Sequence, residues 1–344
     1  MHSAYAMRVE TLLLTDKDVA ALLPMRECID VMARALTSVA AGESTLPLRT
    51  VIRLEGTPNA FAAMPAVVGR DAAASLGAKI ITVFPGNDAT PYDSHIGVVL
   101  LFDAEHGKLQ AIADASSITA IRTAAVSGLA TRLLANPGAR ELAILGAGVL
   151  AMPHLDAVCA VRPIERVRVW SRSGSRAVAF AQLARSRHDV EVVVCECAQD
   201  AVSEAHVVCT ITASRSPVLA GSWLAPGVHV NAVGASLPTA RELDTAAVKM
   251  SRLYVDRRES ALNEAGDFII PRSEGAVTDA HILGELGEVA AGTLAGRGDP
   301  GQITLFKSLG LAVEDVAALK YIYDKARASG AGTSVALGGL RSHT

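Results

Sequence analysis

The rhythm of hydrophobic and polar positions changes twice along the chain. Thr15-Asp16-Lys17-Asp18 resembles a capping box with Asp in place of Glu, and it predicts a short helix. A second helix is predicted from about Pro24, a suitable first-turn proline, to Ala41 before Gly42. The segments 46–54, 60–68, 73–84, 97–102 and 110–114 are then apolar or alternating, rich in Val and Ile, and separated by Gly, Pro, Asn and Asp. They read as strands of a sheet. Helical spacing returns over 118–134 and stops at Asn136-Pro137-Gly138.

From Glu141 onward the pattern alternates. Strand 142–145 precedes helix 149–160, and strand 166–171 precedes helix 174–186. Strands near 190–194, 206–211, 228–233 and 252–256 continue the series. Strands alternating with helices imply a parallel sheet covered on both faces. A last helix is expected over about 311–329, followed by a Gly-rich polar tail with the composition of a mobile end.

Length and composition narrow the class. A chain of 344 residues suggests about two domains. It is 50% hydrophobic but only 4% aromatic, so its cores are built mainly of Ala, Val, Leu and Ile. A net charge of -3, with basic residues scattered, argues against nucleic acid as a partner. Leu12-Leu13-Leu14 is too short for a signal peptide, and no apolar run approaches the roughly 20 residues of a membrane span. A soluble, cytoplasmic protein is expected. Five cysteines, Cys28, Cys159, Cys195, Cys197 and Cys209, suit reduced thiols used in packing. Cys195-Glu-Cys197 lacks a second ligand pair, so no metal is expected.

The candidate chemistry begins at "ILGAGVLA". Gly146-x-Gly148-x-x-Ala151 has dinucleotide-fingerprint spacing and lies between a predicted strand and a predicted helix. The first glycine allows the tight turn and the second lets backbone approach a pyrophosphate. Ala151 permits close helix–strand contact, and the helix N-terminus attracts the anion. Pro153 is expected in the second turn of that helix, where it removes a donor. The second strand ends Trp170-Ser171-Arg172-Ser173, without the carboxylate that accepts ribose hydroxyls in an NAD site. An arginine and two hydroxyls suit a 2′-phosphate, so NADPH is favoured, with NADH possible. The alternative is a solvated arginine on a turn.

Three cations interrupt apolar segments: Arg49 in "LPLRTVI", Lys79 in "LGAKIITVFPGN" and Arg122 in "SITAIRTAAVSG". A lone buried cation costs several kcal/mol, so each needs a partner. Structural salt bridges would satisfy each one singly. Together they suggest a carboxylate pocket, because guanidinium forks take both carboxylate oxygens and a desolvated ammonium can trade a proton near neutral pH. His95 is a further candidate.

These segments and others, in order along nearly the whole chain, resemble the ornithine cyclodeaminase/mu-crystallin family. The carrying motifs include "FAAMPA", "LGAKIITVFPGN", "HIGVVLLFD", "ITAIRTAAVSGLA", "ILGAGVLA", "VNAVGASLPTARELD", "YVDRRESALNEAGD" and "TLFKSLGLAVEDVAALKYIYDKA". The later ones look especially like the ketimine reductase branch. The resemblance implies a Rossmann doubly wound parallel sheet over 129–314. It also implies a second α+β domain, for substrate and dimerisation, from 1–128 and 315–344. It implies a homodimer as well. Arg49, Lys79 and Arg122 match positions that bind the substrate carboxylate and support the chemistry. Thr123 and Gly146, Ala147, Gly148 and Val149 match cofactor phosphate contacts. Ser171 and Arg172 match the 2′-phosphate site, with Ser173 beside them, and Ser308 would lie near the nicotinamide. Two departures stand out. Ser236 occupies the position of an Asp in cyclodeaminases and cannot replace it as a base at neutral pH. Leu150 stands where many members have Gln.

The reading that follows is an NADPH-dependent reductase of small cyclic imines carrying a 2-carboxylate. 1-pyrroline-2-carboxylate and 1-piperideine-2-carboxylate would give proline and pipecolate. Arg49 and Arg122 hold the carboxylate, Lys79 keeps the imine nitrogen protonated, and Ser236 lines the substrate site. The rivals are an NAD-dependent ornithine cyclodeaminase, an alanine-type amino-acid dehydrogenase and a ligand-binding protein.

Overall fold

The structure is a computed structural model and describes residues 10–70 and 74–339. In chain order its strands are β1 (Glu10–Leu14), β2 (Thr50–Arg53), β3 (Ala60–Val68), β4 (Ser75–Val83), β5 (His95–Asp103), β6 (Leu109–Asp114) and β7 (Glu141–Leu145). They continue with β8 (Arg166–Trp170), β9 (Glu191–Val194), β10 (Val207–Thr210), β11 (His229–Ala232), β12 (Arg252–Val255), β13 (Ile282–Glu285), β14 (Thr304–Lys307) and β15 (Thr333–Ala336). One sheet has the order β15-β1-β6-β5-β4-β3-β2, and the other β13-β12-β14-β11-β10-β7-β8-β9. The chain divides into two compact units. Met1–Pro24, Ala41–Thr119 and Ala312–Thr344 make the first, and Met25–Ala40 and Ala120–Leu311 the second. This is the expected α/β architecture, a doubly wound parallel sheet with a second α+β domain. The unit boundaries fall at 119/120 and 311/312, beside the expected 128/129 and 314/315, and helix Met25–Ala40 packs with the second unit.

The second unit's sheet is parallel throughout. Leu142 and Ile144 of β7 enter one core, while Ala143 and Leu145 enter another. A strand whose successive side chains are all buried must be covered on both faces, which is why "ELAIL" reads as a continuous apolar run. Strand order reverses between β7 and β10, the switch point outside which ligands of open α/β sheets bind. Two strands of this sheet escaped the alternating pattern. β14, "TLFK", has all four residues buried, yet its Lys307 reads as polar. β13 runs through the glycine of "ILGE".

The first unit's sheet is mixed. β2 to β6 form an antiparallel series, β1 joins β6 in parallel, and β15 pairs antiparallel with β1. Leu12-Leu13-Leu14 is therefore the C-terminal part of a strand. The Gly-rich tail, expected to be mobile, instead turns at Gly330 and Gly332, both at positive φ, and returns as β15. The predicted strand 46–54 shortens to β2 because Pro47 offers no ladder donor, and Thr45 makes only an isolated bridge to Val67. The expected strand start at Ala73 and the first nine residues lie outside the described residues. Helix Ala312–Ser329 covers one face of β3, β4 and β5. It approaches so closely that a Cβ on Gly77 would sit 2.8 Å from Val316.

Helix Ala115–Leu134 begins three residues before its expected start, because the Asp114 carboxylate accepts the Ser117 amide at 2.7 Å and caps it. Pro153 is the third residue of helix Ala151–Val161, not in its second turn. Amides of a first helical turn have no intrahelical partner, so this proline removes no hydrogen bond. Among the described residues no helix is long and apolar enough to cross a membrane.

Candidate active site

Gly146 follows β7 directly at φ +113°, a conformation that L side chains rarely adopt. Its amide donates to the Trp170 carbonyl at 2.8 Å, and a Cβ there would lie 2.8 Å from the Ile211 carbonyl oxygen. The loop thus leaves β7 in a tight turn against the ends of β8 and β10. Above Gly148 a Cβ would meet nothing within 4 Å, so backbone is open to a ligand. Ala147 is half-buried and Val149 is 70% exposed. Leu150, the N-cap of the following helix, supplies no side-chain cap. The Ala151 amide donates back to the Gly148 carbonyl at 3.0 Å and Pro153 has no N–H, so within the helix's first turn the Met152 amide is the donor left for an anion, beside the open backbone of Gly148. Thr123 is buried on helix Ala115–Leu134.

Past β8, Ser171 is half-buried and Arg172 is exposed. Ser173 caps helix Gly174–Arg187 by accepting the Arg176 amide. The Ser173 amide in turn donates to Ser171 Oγ at 3.4 Å. Both hydroxyls therefore have local structural partners, and Arg172 is the exposed cation of this turn.

At the far side of the same unit, Asp256 lies just beyond β12 and accepts the amides of Leu309 and Gly310 at 2.5 and 2.8 Å. Ser308 is 1% exposed, and its hydroxyl finds no hydrogen-bonding partner among the described residues. That hydroxyl lies just past the carboxyl end of β14, the end at which a doubly wound sheet takes its ligands. Arg122 is buried with its guanidinium against Gly310, where a Cβ would lie 2.4 Å from Nη1. Gly310, at φ +77°, is thus required both for its turn and for that arginine. Ser236 is exposed on the loop beyond β11.

In the first unit, Lys79 is 2% exposed on the helix-covered face of β4. It stands in the row Met64, Lys79, Val99, Ala113. Its Nζ lies 2.8 Å from Asp315 Oδ2, with Thr119 Oγ1 at 3.5 Å. The salt bridge weighed as the structural alternative is present, and Asp315 is a residue that the sequence reading missed. Its signal was an acid amid "LGLAVEDVAAL", where helical spacing buries both Glu314 and Asp315. Arg49 is half-buried just ahead of β2. His95 opens β5 with Nδ1 3.0 Å from Ser94 Oγ. Desolvation, with a smaller push from Lys79, holds its imidazole below the usual range against the pull of Asp93. The cysteines fit the packing reading except Cys197. It is exposed, and its Sγ accepts the Asp200 amide.

A fingerprint loop at the switch point of a doubly wound sheet, with a second α+β unit carrying a buried cation, defines a dinucleotide-binding α/β protein. The sequence model of the ornithine cyclodeaminase/mu-crystallin family matches residues 9–330, and the chain belongs to that family. It is 42% identical over 278 residues to the ketimine reductase mu-crystallin of Mus musculus, covering 81% of this chain and 84% of that protein. The structure of Thermococcus litoralis Delta(1)-pyrroline-2-carboxylate reductase in complex with NADH and L-proline matches it with a TM-score of 0.92 and 38% identity. That match covers 94% of this chain and 100% of the other. An archaeal alanine dehydrogenase dimer with bound NAD matches with a TM-score of 0.89 and 30% identity, over 96% and 100% of the two chains.

Proposed function

We propose that the protein is a nicotinamide-dependent reductase of small cyclic imines bearing a 2-carboxylate. 1-pyrroline-2-carboxylate and 1-piperideine-2-carboxylate would be reduced to proline and pipecolate. The observation that carries this reading is the buried Lys79 ammonium held by Asp315, in a chain whose other unit presents an open fingerprint loop. An ammonium beside a buried carboxylate can present an N–H to an imine nitrogen, and an imine needs a proton or a hydrogen bond at nitrogen before its carbon accepts hydride well.

The residues divide the work as follows. The turn Gly146-Ala147-Gly148-Val149 and the open helix end hold the pyrophosphate, with Thr123 contributing a hydroxyl. Arg172, with Ser171 and Ser173, takes a 2′-phosphate, which favours NADPH, while the similar solved structures carry NADH and NAD. When bound, the cofactor supplies the hydride. Arg49 and Arg122 grip the substrate carboxylate and orient the ring. Lys79 donates a hydrogen bond or a proton to the imine nitrogen. Ser308 borders the nicotinamide position, and Ser236 borders the substrate. Serine cannot serve at that position as the base that the cyclodeaminases' Asp is, which disfavours the cyclodeaminase reading.

A homodimer is supported by the first unit's outer sheet face, where Ile52, Phe61, Ile96 and Val98 are exposed. Five free cysteines support a reducing, cytoplasmic compartment.

The test is cofactor oxidation with purified protein, using NADPH and NADH in parallel. The substrates are the two cyclic imino acids, pyruvate with ammonia, and, with NAD as acceptor, ornithine. Turnover of the preformed imines far above that of pyruvate with ammonia is expected. Ammonia release from ornithine with no imine reduction would overturn the proposal.

A further inference from the structure

Glu242 is completely buried on the segment between β11 and helix Thr245–Met250. Its Oε1 accepts the Thr212 amide at 2.6 Å and the Thr212 hydroxyl at 2.7 Å. Its Oε2 accepts the Thr210 hydroxyl at 2.9 Å and the Gly234 amide at 2.7 Å. Thr210 ends β10, Thr212 lies two residues beyond it, and Gly234 lies two residues beyond β11. One carboxylate therefore spends all four lone-pair sites on the carboxyl ends of two adjacent parallel strands. Such ends are where a doubly wound sheet presents its ligand.

The same point reaches the fingerprint loop. A Cβ on Gly146 would lie 3.1 Å from Thr212 Cγ2, and one on Gly234 would lie 2.0 Å from the Thr212 carbonyl oxygen. Three ligand-facing loops, those after β7, β10 and β11, are thus in contact around Thr212. Thr212 Oγ1 also accepts the Ser214 amide at 3.1 Å, which sets the next turn. On its other side Glu242 is tied down through its own backbone. The amides of Glu242 and Leu243 donate to Asp267 Oδ1 at 2.8 and 3.0 Å. Asp267 Oδ2 lies 2.9 Å from Lys307 Nζ, and Lys307 is the last residue of β14, next to Ser308. Contact is therefore unbroken from Gly146 to the residue beside Ser308, and Glu242 is its middle member.

We propose that Glu242 is a positioning residue for the dinucleotide. By clamping Thr212 and Gly234 it fixes the loops after β10 and β11 against the fingerprint loop, and so sets the floor on which the cofactor lies. The inference rests on the dinucleotide-binding reading above. Burying a carboxylate is costly, and the cost is met here only because each oxygen receives a backbone amide, a donor that cannot reverse. Glutamine cannot substitute. It has one accepting oxygen, and its NH₂ would face the amide of either Thr212 or Gly234. A carboxylate serving only the fold would show its loss in melting temperature. A positioning carboxylate shows it in cofactor affinity as well.

The experiment is a fluorescence titration of NADPH and of NADH into the full-length protein, without substrate, on wild type, Glu242→Gln, Thr212→Val and Thr212→Ser. Melting curves of each establish that it is folded. Glu242→Gln is expected to raise the dinucleotide Kd at least tenfold. Thr212→Val, which keeps the shape but removes the hydroxyl, should raise it several-fold, and Thr212→Ser should restore binding to near the wild-type value. If Glu242→Gln does not fold, the valine and serine pair decides. Wild-type Kd in folded Glu242→Gln, or equal Kd values for Thr212→Val and Thr212→Ser, overturns the proposal. Wild type that binds neither dinucleotide overturns the underlying reading instead.

Discussion

Lys79 Nζ and Asp315 Oδ2 lie 2.8 Å apart, with both side chains almost fully buried. Removing one member of such a pair strands the other charge at a cost of about 3–5 kcal/mol, so Lys79→Ala conflates folding with chemistry. Asp315→Asn, with a melting curve to establish that it is folded, separates them, because asparagine keeps an accepting oxygen beside the ammonium. The ammonium remains but loses the carboxylate that favours its charged form, so it surrenders its proton more readily. If Lys79 acts as an acid, the alkaline limb of kcat against pH moves to lower pH in Asp315→Asn, while turnover on the acid side persists. A pH–rate profile that keeps its alkaline limb in place would assign the pair to folding alone. Lys79→Met strands Asp315 as alanine does, so it is read only where its melting curve shows a folded protein, and there it should lose about 10²–10⁴ in kcat at every pH. Arg172 is read by another contrast. Arg172→Ala should raise the KM for NADPH about tenfold and leave that for NADH unchanged, since only the 2′-phosphate loses a charge-assisted bond.

Two buried histidines link the elements of the second unit. His154, on helix Ala151–Val161, donates from Nδ1 to the Leu150 carbonyl at 2.8 Å and lies 3.0 Å from Ser127 Oγ through Nε2. His229, on β11, donates from Nε2 to Asn231 Oδ1 at 3.2 Å, with Nδ1 3.0 Å from Thr304 of β14. Desolvation pushes His154 down to about 4, and desolvation with the nearby Arg297 charge pushes His229 down to about 3. Both fold neutral and would charge when unfolded. Below the ordinary value of 6.5 the unfolded chain takes up protons that the folded one refuses, so stability falls as pH drops from there toward 4 and 3. At pH 5 each histidine accounts for about 2 kcal/mol of that loss. Urea unfolding at pH 7 and pH 5 checks this through Trp170 and Trp223, both in the second unit. In His229→Gln the pH dependence should shrink by about one proton, although stability at pH 7 is lower. Neither histidine was legible as buried, because in "AMPHLDA" and "GVHVNA" each occupies what could be a solvated position. The same ambiguity hid β14 behind Lys307, and Asp315 within a helix. A residue's partner 236 positions away leaves no local trace. What could be read was local, namely the apolar run into Gly146, the alternation that followed, and the absence of an acid after Trp170. The Gly330–Gly332 return to β15 could not be read, since short strands near a chain end look like tail until their pairing partner is known.

At the scale of the whole molecule, the first sheet has two unlike faces. Register places Ile52, Phe61, Thr82 and Ile96 in one row, and Thr50, Ala63, Ile80 and Val98 in the next. These rows point away from the face that carries Lys79, and Ile52 is 59% exposed while Phe61 is 39% exposed. Further rows add Pro65, Ala78 and Leu100, then Val67, Leu76 and Phe102. Four strands about 4.8 Å apart, with residues about 3.4 Å apart, give this face roughly 500 Å² in projection. That approaches the roughly 800 Å² each partner contributes to a standard interface, and it is more contiguous apolar surface than a monomer keeps without a use. Largely apolar and without charge in its two outer rows, the face has the chemistry that a two-fold dimer interface uses. Light scattering on a sizing column is expected to give twice the 35.7 kDa chain mass. Phe61→Lys places an ammonium where the two copies would meet. An unpaired charge cannot be buried there without several kcal/mol of cost, so the variant should elute at the mass of a single chain. Because Phe61 points away from the helix-covered core, circular dichroism of the variant should match wild type. A wild-type protein that scatters as one chain, or a Phe61→Lys variant that keeps the double mass, would move the interface elsewhere or remove it.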